Sequence, residues 1–227
     1  MEGYDRKRYK QEFIKFLKEV KDVLVDNTIT SYLDKAAAGT AVPGGGSVAA
    51  LNAALAAGLT EMVANLTLGK KGYEAVEDEM KTIVGKASRL RTKLTASIDQ
   101  DADAYTEVMA AYKLPKTTGE ETAVRKQKIQ EAIKHAALVP LEVAKDALKV
   151  IELAGQAIRK GNKNAASDGA VAAMNARTGA LAAIYNVKIN LSSIKDDSFA
   201  VKLAQEVKEL ETQVVEKENE ALSCVAV

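Results

Sequence analysis

Two stretches crowded with alanine constrain this chain more than anything else in it. The first runs Ala49-Ala50-Leu51-Asn52-Ala53-Ala54-Leu55-Ala56-Ala57-Gly58; the second takes in Ala170, Ala172, Ala173, Ala176, Ala180, Ala182 and Ala183. Alanine favours helix because it gives up no side-chain freedom there. Side chains this small also let two helices approach closely. Each run follows a loop of glycine or asparagine, and Ser47 and Ser167 stand where an N-cap is expected. The first run therefore reads as a long helix from Val48 to about Leu68, closed by Gly69. Its small face fits either a tight interface, between subunits for instance, or a buried central helix.

The rest of the chain is helical by the same reading. Phe13, Phe16, Leu17, Val20 and Leu24 share one face of an amphipathic helix over residues 5 to 25. Thr30 is expected to cap a short second helix, with Leu33 as its apolar anchor and Gly39 as its stop. Tyr73 to Leu114 can form one very long helix, bent near Gly85, before Pro115 and Gly119 break it. Another runs from about Glu120 to Lys160 and should kink at Pro140, where a backbone bond is lost. Gly161 to Asn164 forms a loop, Asn186 to Ile194 is less regular, and a charged helix closes the chain from Asp196 to Ser223. No alternating apolar segment is long enough for a sheet. The expectation is an all-α, elongated bundle of long, partly kinked helices. It is one domain over residues 1–227, with 1–29 as an N-terminal helical extension.

Composition excludes several classes of function. Aromatic residues make up 4% of a chain that is 47% hydrophobic, so the core must be Ala, Val, Leu and Ile. With 32 basic and 31 acidic residues, bulk charge favours neither nucleic acid nor an anionic membrane. The first residues lack an apolar signal core, and Asn52, Glu61 and Asn65 interrupt the first alanine run as a clean membrane span. A cytoplasmic location is expected. With one histidine, His135, and one cysteine, Cys224, no internal disulfide can form, and a zinc or copper site would need an all-carboxylate set, which suits those metals poorly. His135 has no partner motif and reads as a surface or structural residue. The ending Cys224-Val225-Ala226-Val227 has the outline of a prenylation box, but its last residue and the acidic approach argue against one.

Three features carry chemistry. Gly44, Gly45 and Gly46, after Pro43, bring the backbone close to a ligand and aim free amides from a helix start, which suits an anion. The loop lacks a preceding strand and the spacing of a nucleotide fingerprint. Next, the apolar stripe Leu90, Leu94, Ile98, Tyr105, Val108 and Tyr112 contains Asp101, whereas Asp99, Asp103 and Glu107 face solvent. A carboxylate on a buried face must be paired, hydrogen-bonded or protonated. Asp101 is therefore either a general acid/base or half of a structural ion pair. Lastly, Asp168 sits at the start of the second alanine helix, where a capping role is adequate, and Asn186 and Asn190 share a helix face.

Several segments in order resemble the cyclodeaminase/cyclohydrolase family of folate enzymes. They are Pro43 to Leu51; Met62 to Lys71; Asp99 to Tyr105 with Leu114-Pro115-Lys116; Val139-Pro140-Leu141; and Gly161 through Ser167-Asp168 to Asn190. The resemblance covers roughly residues 30 to 215. It implies an all-helical homodimer acting on a tetrahydrofolate derivative, with no permanently bound cofactor. Two reactions are implied: reversible hydrolysis of 5,10-methenyltetrahydrofolate to 10-formyltetrahydrofolate, and cyclisation of 5-formiminotetrahydrofolate with loss of ammonia. Asp101 would be the general base, and Asp168 would hold the pterin or assist proton transfer. Gly44, Gly45, Gly46 and Ser47 would bind a polar edge of the folate, with Asn164, Ser167, Asn186 and Asn190 as further substrate contacts. Lys70, Lys71 and Lys116 are candidates for the glutamate tail. With no room for a transferase domain, the chain leans to the cyclohydrolase. A non-catalytic helical dimer is the alternative from another class.

Overall fold

The computed structural model of the protein describes residues 23–225. Among these residues are six α-helices and no strand. They are α1 (Ile29–Ala37), α2 (Gly45–Asn65), α3 (Glu77–Tyr112), α4 (Gly119–Lys160), α5 (Ala166–Leu191) and α6 (Asp197–Leu222). Most of the expected first helix lies outside the described residues. Its last part, Leu24–Asp26, is a 3-10 turn.

Helix ends follow local hydrogen bonding. Thr28 rather than Thr30 caps α1, its side chain accepting from the Ser31 amide at 3.2 Å. That phase turns Tyr32 inward and leaves Leu33, the expected anchor, 60% exposed. Neither Ser47 nor Ser167 is a cap: Gly44 and Ala165 hold those positions, and both serines lie in first turns. Thr118 and Glu121 form a reciprocal capping box that starts α4 after the Pro115 break. α4 runs on through Pro140, and Gly85 lies inside α3. The stretch expected to lose regularity after Asn186 stays helical to Leu191. Its two asparagines explain why. Asn186 donates to Ala182 O and Asn190 to Asn186 O, each four residues back, so their amides do not compete with the helix.

α2 is the central helix. Ala49, Ala50, Ala53, Ala56 and Ala57 are fully buried, and α3, α4 and α5 pack around them. A methyl group on Gly179 of α5 would lie 2.8 Å from Ala49 O and 2.9 Å from Ala53 N, so the two helices meet backbone to backbone. By length and composition α2 is apolar enough to cross a membrane, contrary to the expectation from its interrupting polar residues. Packing inside the bundle accounts for that apolarity. α2 runs antiparallel to α3 and α5. Its first turn meets Asp101 and Asn186, while Val63 and Ala64 at its far end join Met80, Ile83 and Ala165. The bundle thus has a glycine end and a Lys70 end, separated by the 21 residues of α2, or about 30 Å of helix.

Candidate active site

At the glycine end, α2 begins on an extended Gly44 and presses its first turn against α3. A side chain on Gly46 would overlap the Asp101 carboxylate, so only glycine leaves room for it. Ser47 is fully buried beneath them. Its hydroxyl lies 2.9 Å from Ile98 O and 3.2 Å from Asp101 Oδ2, and its amide donates to the same carboxylate. The anion expected at this helix start is therefore the protein's own. Ser47 contacts Asp101 rather than solvent. Gly45 stays exposed, and a methyl group there would stand 3.4 Å from the Asn186 amide nitrogen, which brings Asn186 to the same rim.

Burial pushes the Asp101 carboxyl above its ordinary value, and the hydrogen bonds from Ser47 pull the other way. The Ser47 hydroxyl adds a second influence. It has one proton and two neighbours, and Ile98 O can only accept. When Asp101 is ionised, the hydroxyl can donate to it. When Asp101 is protonated, the hydroxyl can turn to Ile98 O and accept from the acid. Both states of the carboxyl therefore find a partner, as suits a group that takes up and returns a proton.

The wheel put Asp101 on an apolar stripe, and the structure agrees around Leu94 and Ile98, both buried. The stripe does not continue as expected: Tyr105 and Tyr112 are 41% and 47% exposed. Asp99, expected in solvent, accepts from the Leu24 amide at 2.6 Å and so ties the chain before α1 to α3. The site also contains a residue missed in the sequence. Tyr32 of α1 is buried, and its hydroxyl has no hydrogen-bond partner among the described residues. Burial first, and then the charges of Asp101 and Asp99, push its phenol above the usual value. Only the helix phase set by Thr28 would have pointed to it.

The other expected site residues divide between the two ends. At the Lys70 end, Lys70 Nζ donates to Asn162 Oδ1 at 2.5 Å and stands 5.6 Å from the Tyr73 ring. Asn162 holds the turn before α5, accepting from the Asn164 amide and donating to Leu66 O. Exposed Lys71, Asn164 and Ser167 lie here, with half-buried Asp168 in the first turn of α5. Within one chain this group does not meet Asp101. Lys116 is exposed in the α3–α4 loop, beyond the glycine end. Asn190 spends its amide on Ala136 O and Asn186 O, both at 3.0 Å, and so fastens α5 to α4. His135 pairs with Glu107 at 2.9 Å on the surface. Among the described residues, no group of three His, Cys, Asp or Glu side chains converges to hold a metal.

Residues 28–209 match the family model described as formiminotransferase-cyclodeaminase. The chain belongs to this family. A methenyltetrahydrofolate cyclohydrolase of Methylorubrum extorquens is 43% identical over 191 residues, covering 84% of this chain and 90% of that protein. The formimidoyltransferase-cyclodeaminase of Rattus norvegicus is 34% identical over 82% of this chain, which spans only 35% of that longer relative. The crystal structure of formiminotetrahydrofolate cyclodeaminase from Thermotoga maritima matches with a TM-score of 0.79 at 34% identity. That match covers 88% of this chain and 96% of the Thermotoga chain. A protein of similar extent thus carries the cyclodeaminase name, so length does not separate the two activities.

Proposed function

We propose that the protein hydrolyses 5,10-methenyltetrahydrofolate to 10-formyltetrahydrofolate, reversibly, with Asp101 as general base. The observation that carries this is the desolvated Asp101 carboxyl, given space by Gly46 and held by Ser47. The cyclohydrolase relative, matched over nearly its whole length, supports hydrolysis over deamination.

The methenyl bridge is a cationic amidinium, which an ionised Asp101 attracts. Asp101 takes a proton from water as the water oxygen bonds to the bridge carbon. The product is a neutral carbinolamine between N5 and N10. The bond from carbon to N5 then breaks with its electron pair on nitrogen, and Asp101 returns its proton there. The hydroxyl proton leaves as the formyl C=O forms, so one proton is released per turnover.

The same reading makes the working unit a homodimer with shared sites. Leu55 and Met62 on α2, Leu66 just after it, and Val171, Met174, Tyr185 and Ile189 on α5 leave an apolar face exposed. A second copy lying antiparallel on that face would bring its Lys70 end to the glycine end of the first. Asp168 and Lys70 would then serve the Asp101 of the other copy, with Asp168 on the pterin and Lys70 on the glutamate tail.

The experiment is spectroscopic. Loss of methenyltetrahydrofolate absorbance on adding protein supports the reading. Appearance of the same band from 5-formiminotetrahydrofolate, with ammonia release and no methenyl hydrolysis, would replace it with the cyclodeaminase.

A further inference from the structure

α2 stops at the glycine loop, but α3 does not. Ser47, in the first turn of α2, meets Ile98 and Asp101. From Asp101 α3 runs on to Tyr112, about 16 Å further along its axis. Before Asp101 the face that α3 turns to α2 is apolar and covered, with Leu94 and Ile98 buried. Beyond Asp101 the same face carries Tyr105, Met109 and Tyr112, and all three are exposed. The apolar stripe thus continues, but it loses its cover where α2 begins. Tyr112 has a cation of its own, since the Arg125 guanidinium lies 5.7 Å from its ring centroid. Among the described residues no cation stands over the Tyr105 ring, and none pairs with Asp101.

Tyr105 follows Asp101 by four residues, so the two share a helix face with their Cβ atoms about 6 Å apart. A planar cation held at the Asp101 carboxylate comes within reach of the Tyr105 ring, whose face attracts positive charge. We propose that the Tyr105 ring binds the cationic amidinium bridge of 5,10-methenyltetrahydrofolate. It thereby sets the preference for that substrate over the 10-formyl product, which carries no charge at those atoms. This rests on the hydrolytic reading above. Tyr105 makes and breaks no bond. It acts on binding, whereas Asp101 moves the protons. The exposure of the ring also follows: the surface that would pack on α2 in a longer bundle is left for the substrate.

The test compares Tyr105→Leu, Tyr105→Phe and the wild-type protein in methenyl hydrolysis, with 10-formyltetrahydrofolate as product inhibitor. Tyr105→Leu keeps apolar bulk but loses the ring face. Its KM for the methenyl compound should rise by about tenfold, the scale of one cation–ring contact. Its inhibition constant for the 10-formyl compound should stay within about twofold of wild type. Its kcat should hold or rise, because the bridge loses its charge as water adds and the lost contact favours the substrate over the transition state. Tyr105→Phe keeps the ring and should match wild type in both constants. A structural role would instead lower kcat and the thermal midpoint of Tyr105→Leu and move both constants together, which overturns the proposal. A fall in the solution mass of Tyr105→Leu would show that a second copy covers the strip, and overturns it too. Unchanged KM in Tyr105→Leu, beside an active wild type and a slow Asp101→Asn, removes Tyr105 and leaves Asp101 standing. A wild-type protein without methenyl hydrolysis removes both.

Discussion

Gly46 and Asp101, on different helices, share one space: the carboxylate occupies the position that a side chain at 46 would fill. The glycine loop thus serves less to wrap a ligand with backbone than to let an acid sit against the first turn of α2. Gly46→Ala should keep the helix, since alanine favours it, but push the Asp101 carboxylate away. Turnover should fall by about a hundredfold, the range for losing a positioned acid/base. Wild-type turnover in Gly46→Ala would mean that the carboxylate position is immaterial.

Ser47→Ala removes a hydroxyl that can donate to ionised Asp101. Losing a donor to the charged form raises the carboxyl further above its ordinary value. Activity that needs ionised Asp101 falls as pH drops through that value. The acidic limb of the rate profile should therefore move to higher pH in Ser47→Ala. A limb that stays put or moves down would remove Asp101 as the titrating group.

Asp101 also predicts a dependence of stability on pH. Its folded value lies above its unfolded one, chiefly because burial disfavours the charge. The folded state thus binds its proton more tightly. The stability this contributes is complete below the ordinary carboxylate range and is lost as pH rises through the folded value. Asp101→Asn removes the buried charge, so its thermal midpoint should gain on wild type as pH rises from about 4 to neutrality. A gap between the two proteins that does not change with pH would contradict this.

Shared sites make a prediction about mixtures. Asp101→Asn and Asp168→Asn homodimers should each be slow. Mixing them with subunit exchange gives heterodimers in which one site carries both substitutions and the other carries neither. About a quarter of wild-type activity should return at equal mixing, since half the dimers are mixed and half their sites are intact. No recovery, with exchange verified, would mean that each site is built from one chain.

Most of the fold could be read in the sequence because long helices repeat their apolar positions often enough to fix their phase. Short or crowded elements were harder. α1 has only nine residues, too few to fix its phase, and the cap at Thr28 instead of the expected Thr30 puts Tyr32 inward in place of Leu33. Ser47 carries the usual signal of a cap, but a glycine can take the cap position too. Only the approach of Asp101 shows why the serine turns inward. Asp101 itself was legible as a carboxylate out of place on its stripe. The separation of Lys70 and Asp168 from it was not. Motif order along a chain carries no distance, and α2 sets these groups a helix length apart.

Proton transfer by Asp101 is what methenyl hydrolysis requires of this site. It is tested most directly by the rate of methenyltetrahydrofolate absorbance loss, from acid to neutral pH, in wild type and Asp101→Asn. The wild-type rate should fall at low pH along a limb set above the ordinary carboxylate range. The variant should be slower by at least about a hundredfold, with that limb gone. A variant that hydrolyses the methenyl compound at near wild-type rate, with the limb intact, would contradict it.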